Sequence, residues 1–183
     1  MLELKFEKFP ELETERLRLR ELTLDDVPVL FEMRTNALMN RFTDRAKLKT
    51  MEEAAEKMKT ILDMVKNRNG IAWAIELKES NKQIGDISFW RIIREHYRAE
   101  IGYALLPEYW KKGYMTEAAR CAIDYGFSML HFHSIEANVN PGNVASVRLL
   151  EKLNFVREAY FRENYFYDGK FLDSAIYSLL NNS

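Results

Sequence analysis

Lys111, Lys112 and Gly113 stand between two patterned segments, and that placement gives them chemistry. Before them, residues 101–106 form an apolar, strand-like run that Pro107 stops. After them, Met115, Ala118, Ala119, Ala122, Ile123, Gly126, Phe127 and Leu130 recur at helical spacing, with Glu117, Arg120, Asp124 and Ser128 on the outward side. A strand that feeds a helix through a glycine-containing turn aims unpaired N–H groups and the positive dipole end at one point. Such a terminus binds phosphate, and the lysines add mobile positive charge. A plain turn with a solvated lysine pair reads equally well from these residues alone. Glu100 is a second candidate, because a carboxylate in the middle of a strand is costly unless it has a task or a partner. Arg91, Arg94 and Arg98 are near enough in sequence to be that partner. A third constellation follows Pro141-Gly142, where Asn143 reads as the N-cap of a helix and Ser146 falls one turn in.

The elements that must position these groups follow from alternation and capping. Leu2, Leu4 and Phe6 alternate with charges, giving a short edge strand or an arm. Leu17 and Leu19 alternate with Arg16, Arg18 and Arg20, a strand with one buried face. Thr23 starts a helix with Asp25, Asp26 and Pro28 in its first turn, and Thr50 with Glu53 makes a capping box for a second. Residues 36–49 between them are polar and irregular, a candidate lid. Residues 71–77 and 83–90 read as a hairpin, and the strand carrying Glu100 completes an antiparallel meander. A strand over residues 134–140, the helix after Asn143 and a last hairpin turned at Asp168-Gly169 follow. The predicted fold is α/β (α+β), with a central, mostly antiparallel mixed sheet of about seven strands and four helices in the order β-α-α-β-β-β-α-β-α-β-β. Nothing along residues 1–183 marks a domain boundary, so one domain is expected.

Composition narrows the function classes. With 47% hydrophobic residues and 13% aromatics the chain can build a real core, and a net charge of -1 gives no basic footprint for nucleic acid. No apolar run approaches a membrane span, and the N-terminus has no signal-peptide core. The single cysteine, Cys121, excludes an intrachain disulfide, suits a reducing cytoplasm and reads as a packing residue. His131 and His133 have no further ligands spaced around them, so a surface turn is expected rather than a metal site.

The segment LLPEYWKKGYMTEA resembles the acyl-CoA-binding loop of the GNAT superfamily of N-acyltransferases, most closely the branch of the ribosomal-protein N-terminal acetyltransferases. The opening TERLRLR resembles that branch as well, the segment NPGNVASVRLLEKLNF resembles a second cofactor-side segment of the GNAT superfamily, and the element order is the GNAT order. By that resemblance the main chain of Leu105 holds the pantetheine arm of acetyl-CoA. The loop of Lys111, Lys112, Gly113, Tyr114, Met115 and Thr116 cradles its pyrophosphate, and Asn143 and Ser146 lie beside the arm. Lys111 stands where the branch has glycine, and Met115 where it has a small residue. Leu150 takes the place of the tyrosine that many members use to protonate the leaving thiolate, and Asn154 that of a glycine.

The implied activity is acetyl transfer from acetyl-CoA to a primary amine by direct attack in a ternary complex, with no metal. An α-amine is roughly 10% neutral at pH 7 and a lysine-type amine about one part in 2,500, so an N-terminal acceptor needs only a weak base. Glu100 is the candidate base, and Ser146 is the hydroxyl at a matching position for the acid. Amides at a strand bulge around Leu105 are expected to hold the oxyanion. The preferred acceptor is the N-terminal α-amine of a protein. The alternatives are a small amine such as a polyamine, an aminated antibiotic or an amino acid, or a non-catalytic acyl-CoA sensor. The rings of Tyr160, Phe161, Tyr165, Phe166, Tyr167 and Phe171 are too dense for one strand face and must be exposed, cover the acceptor groove or meet a second copy. A monomer and a homodimer both fit.

Overall fold

A computed structural model describes residues 1–44 and 47–181. Its sheet begins with β1 (Leu12–Glu13), too short for any alternation to reveal, and this strand raises the count to eight. β2 (Leu17–Glu21) buries Leu17 and Leu19 completely and turns Arg18 and Arg20 to its other face. Thr23 and Asp26 close a capping box on a single 3-10 turn that leads into α1 (Val27–Thr35), with Pro28 in its first turn. α2 (Met51–Lys66) starts on Thr50, whose hydroxyl accepts from the N–H of Glu53. The reciprocal half of the expected box is displaced by one residue, because Glu53 accepts from the N–H of Lys49. The candidate lid at 36–49 contains residues 45 and 46, which lie outside the described residues; its Phe42, Thr43, Asp44 and Leu48 border the cleft described below.

β3 (Ile71–Leu77), β4 (Lys82–Phe89) and β5 (Arg98–Leu105) form the expected antiparallel meander. α3 (Tyr114–Ser128) crosses back so that β6 (Ser134–Val139) lies parallel to β5. After α4 (Val144–Lys152), β7 (Val156–Tyr167) and β8 (Lys170–Leu180) close the chain as a hairpin. Asp168 and Gly169 turn it with φ of 48° and 77°. The sheet order is β1-β2-β3-β4-β5-β6-β8-β7. Asn154, at φ 66°, ends α4 in the left-handed geometry that asparagine tolerates.

The two sheet faces carry separate cores. Leu17, Leu19, Trp73, Ile87, Phe89 and Ile101 pack against Ala118, Ala119 and Ala122 of α3, while Ala72 and Ala74 face Leu30, Ala54 and Met58 of α1 and α2. The N-terminal arm is not a strand. Leu2 and Leu4 are buried in the larger core, and the Phe6, Phe9 and Trp73 rings meet edge to face. Among the described residues no helix is long and apolar enough to cross a membrane.

β5 and β6 pair only through Arg98–Ser134, Ala99–Ile135 and Glu100–Glu136. Beyond Glu100 the two strands part, and the sheet opens into a wedge. On its other edge β5 stays joined to β4 from Phe89–Ile101 to Gly85–Leu105 without a register shift. The bulge expected around Leu105 is therefore absent from this pair. A bulge lies one strand over, between β3 and β4 at Ile75 and Glu76, and on the other edge of β4 Gly85 lets the backbone of β5 close up. A Cβ on Gly85 would fall 2.2 Å from the carbonyl oxygen of Ala104.

Candidate active site

The wedge continues into a cleft of about 1070 Å³ bordered by α2, β4, β5, β6 and the start of α4. Glu100, Tyr103, Asn143 and Ser146 line it together. The loop of residues 111–113, expected from the sequence to cradle the pyrophosphate, follows the other end of β5.

Main-chain geometry shapes that loop. Lys111 (φ 60°) and Gly113 (φ 84°) both sit in the left-handed region, and Gly113 is the N-cap of α3 with no side chain covering the first-turn N–H groups. Uncapped amides at the start of a fifteen-residue helix suit a diphosphate. Lys111 holds its strained φ without being glycine, so the departure from the family pattern is accommodated at a cost of about 1 kcal/mol. The indole of Trp110 donates to the carbonyl of Leu105 and ties the loop back to the strand.

The loop also has an anchor that no local pattern announces. Glu117 does not face solvent; its carboxylate accepts from the Thr14 hydroxyl (2.5 Å), the Arg16 N–H (2.9 Å) and Arg16 Nε (2.7 Å). Arg16 in turn donates through Nη1 to the Lys112 carbonyl (3.1 Å) and lies over the Tyr114 ring at 4.4 Å. Thus the chain just before β2 grips both the loop and the first turn of α3. Burial pushes the Glu117 carboxyl up, but Thr14 and Arg16 outweigh it and hold the group below its ordinary range.

Glu100 sits where β5 and β6 part and is 7% exposed. Of its three sequence neighbours, Arg94 is elsewhere, donating to the carbonyls of Leu2 and Arg68. Arg98 is bound to Glu136. Arg91 reaches Glu100 Oε2 at 3.1 Å but makes its hydrogen bond to Glu136 at 2.6 Å. The Arg91–Glu100 approach is close in distance and poor in angle, so Glu100 Oε2 is buried with no hydrogen-bond partner. Glu136, which sequence reading passed over, is the ion-pair carboxylate of the cluster. Burial pushes the Glu100 carboxyl above its ordinary range, Arg91 opposes this, and Glu136 reinforces it. A carboxylate held this way is a better proton acceptor than an exposed one.

Asn143 caps α4 through Oδ1, which accepts from the N–H of Ser146 at 3.2 Å. The Ser146 hydroxyl is 2.7 Å from the phenol oxygen of Tyr103. Leu150 is buried, so the next turn of α4 brings no hydroxyl to the cleft. Tyr103 falls in the apolar alternation of its strand with Ala99, Ile101 and Leu105, so its local pattern does not single it out. His131 lies in a turn at φ 58°, and the described residues contain no group of three His, Cys, Asp or Glu able to hold a metal. Of the C-terminal rings, Tyr160, Phe161, Phe166 and Phe171 are exposed and Tyr165 lines the cleft.

Residues 16–156 match the family model described as acetyltransferase (GNAT) domain. The chain belongs to the GNAT acetyltransferase family. It is thus an acetyl-CoA-dependent N-acetyltransferase. This acetyltransferase is 35% identical to the uncharacterized N-acetyltransferase YoaA of Bacillus subtilis (strain 168) over 94% of its own length and 97% of the relative's. Its fold is similar to ribosomal-protein-S5-alanine acetyltransferase from Vibrio fischeri (TM-score 0.84, 24% identity, 95% of this chain and 98% of the other). It is similar also to spermidine N-acetyltransferase from Vibrio cholerae in complex with CoA and spermine (TM-score 0.81, 23% identity, 91% and 96%).

Proposed function

We propose that this acetyltransferase, acting as one catalytic domain, moves the acetyl group of acetyl-CoA to the α-amine at the N-terminus of a protein or peptide. The observation that carries this reading is the charge balance of the cleft. Among the described residues its acids, Asp44, Asp86 and Glu100, are matched by Arg34, Lys57 and Arg91. A polyamine carries several positive charges and is held best by a surplus of carboxylates, which this cleft does not offer. A peptide start has one cationic amine followed by amides and mixed side chains, and it suits a balanced, open groove. Ribosomal-protein alanine acetylation in the Vibrio fischeri neighbour is in keeping with this choice, and spermidine in the Vibrio cholerae neighbour marks the runner-up.

In this reading Glu100 takes the proton of the attacking amine, which fits a carboxyl whose affinity for protons burial has raised. The amides of residues 111–116 hold the pyrophosphate of acetyl-CoA, with Lys111 and Lys112 adding screened charge. Leu105 and Asn143 hold the pantetheine arm, and Ser146 faces the leaving sulfur. The lone, half-buried Cys121 suits a reducing, cytoplasmic setting.

The test is turnover of wild type and Glu100→Gln with a peptide bearing a free N-terminus and with spermidine, from pH 7 to 9. The expected result is preference for the peptide and a ten- to hundred-fold lower kcat for Glu100→Gln at pH 7. That defect fades within about two units as the α-amine deprotonates unaided. Preference for spermidine would overturn the acceptor, and a fully active Gln variant would overturn the base.

A further inference from the structure

Leu150 is 1% exposed and apolar, so α4 offers the leaving-group side of the cleft no hydroxyl one turn beyond Ser146. What it offers instead is a pair: the hydroxyls of Tyr103 on β5 and Ser146 on α4 lie 2.7 Å apart, and both residues line the cleft. We propose that Tyr103 is a positioning residue for the leaving group, its phenol donating to Ser146 so that the serine O–H is left to hydrogen-bond the departing thiolate of CoA. The proposal rests on the reading that places Ser146 at the leaving sulfur, and it is independent of the acceptor.

The direction of the bond follows from acidity and from counting donors. A phenol is far more acidic than an alkyl hydroxyl, so in a mixed pair it is the stronger donor. The serine oxygen, having accepted, keeps its own hydrogen for a third partner, and a donor that is itself hydrogen-bonded is a stronger one. Without Tyr103 the serine rotor has other acceptors to choose from, such as the carbonyls of the preceding turn. The Asn143–Ser146 cap fixes the serine backbone, and Tyr103 fixes its side chain.

Burial pushes the Tyr103 phenol up to about 12, against the smaller opposing effect of Ser146. It therefore stays protonated throughout the working range. The thiolate of a thiol with an ordinary pKa of about 8.5 is too weak a base to take a proton from such a phenol, so the pair supplies hydrogen bonds and no proton leaves it. The balance closes without one. The amine nitrogen bonds to the carbonyl carbon and gives its proton to the base. The C–S bond breaks with its electron pair on sulfur, which Ser146 solvates, and solvent later protonates that sulfur.

The test uses CoA itself, the full chain and no acceptor. Ultraviolet absorbance of the thiolate, followed against pH, reads the pKa of the bound CoA thiol in wild type, Tyr103→Phe, Ser146→Ala and the double variant. In wild type the bound thiol is expected to titrate about one unit below free CoA, the effect of a charge-assisted hydrogen bond. Tyr103→Phe removes most of that lowering, leaves CoA affinity within about twofold and does not change the melting temperature. In the Ser146→Ala background it does nothing further, because Tyr103 acts only through the serine. An unchanged thiol pKa in Tyr103→Phe overturns the proposal, whether or not binding or melting temperature moves. So does an equal change with and without Ser146. Since no amine is present, failure of the peptide-acceptor reading leaves this outcome untouched.

Discussion

Truncating Glu117 to alanine separates the contribution of the clamp behind the loop from that of the loop itself. The carboxylate accepts from the Thr14 hydroxyl at 2.5 Å and the Arg16 N–H at 2.9 Å, and Arg16 Nη2 approaches it at 2.6 Å. The Arg16 side chain is 42% exposed, so solvent screens the ion pair to about 1 kcal/mol or less. The larger share comes from leaving the Arg16 N–H and the part-buried Thr14 hydroxyl without their acceptor, about 1–2 kcal/mol in all. Together Glu117→Ala should cost about 1–3 kcal/mol, a fall in melting temperature of roughly 2–12 °C for a chain of this size. Arg16 then loses its anchor and with it the bond to the Lys112 carbonyl, so KM for acetyl-CoA should rise several-fold. The sign with pH is also set. A carboxyl held below its ordinary range stabilises the fold above its unfolded pKa of about 4.3, and the gain is lost as pH falls through the lower folded value. The melting gap between wild type and Glu117→Ala should therefore narrow below about pH 4. Thermal melts of Glu117→Ala, Arg16→Ala and the double variant should reveal coupling of about 1 kcal/mol. Strictly additive losses, or a gap that ignores pH, would refute the clamp.

Two further predictions concern glycines. Gly113→Asp should weaken CoA binding far more than Lys112→Ala in a calorimetric titration. The first puts a carboxylate and a strained φ of 84° at the uncapped amides proposed to hold the phosphates, whereas the second removes one exposed charge worth about 1 kcal/mol or less; equal losses would show that lysine charge makes the site. Gly85→Ala should lower the melting temperature by roughly 4–8 °C, for about 2 kcal/mol of overpacking. Its Cβ would meet the Ala104 oxygen and push β5 from β4, and an unchanged melt would mean that the two strands have slack at this point.

The elements were legible where their signals are local. Leu17 and Leu19 gave β2 by alternation, Thr23 and Thr50 marked the helix starts, and Asp168-Gly169 marked the last hairpin. Contacts between distant segments were not. Glu117 looks solvent-facing by helical spacing, because its partner Arg16 stands 101 residues away and periodicity carries no distance. Tyr103 and Ser146, 43 residues apart, each had an ordinary local explanation. The arginines near Glu100 could not be sorted by proximity. Arg94 is drawn to the N-terminal arm and Arg98 to Glu136, a carboxylate that faces Glu100 only because β6 runs parallel to β5.

The order β1-β2-β3-β4-β5-β6-β8-β7 leaves two outer strands, each with a row of main-chain groups facing solvent. Such rows are templates on which a foreign strand can add, and long straight ones bring chains together. β1 defends its side by brevity, since two residues offer almost no ladder to copy. β7 is twelve residues long and carries exposed rings, so it needs another defence. Its pairing with β8 slips between Arg157 and Ala159 and again between Phe161 and Tyr165, and Glu163 turns to φ 50° inside the second slip. Each irregularity bends the strand and breaks the run of evenly spaced donors and acceptors. Straightening β7 would be felt first in how concentrated a solution the protein tolerates, well before it reached the acetyl group.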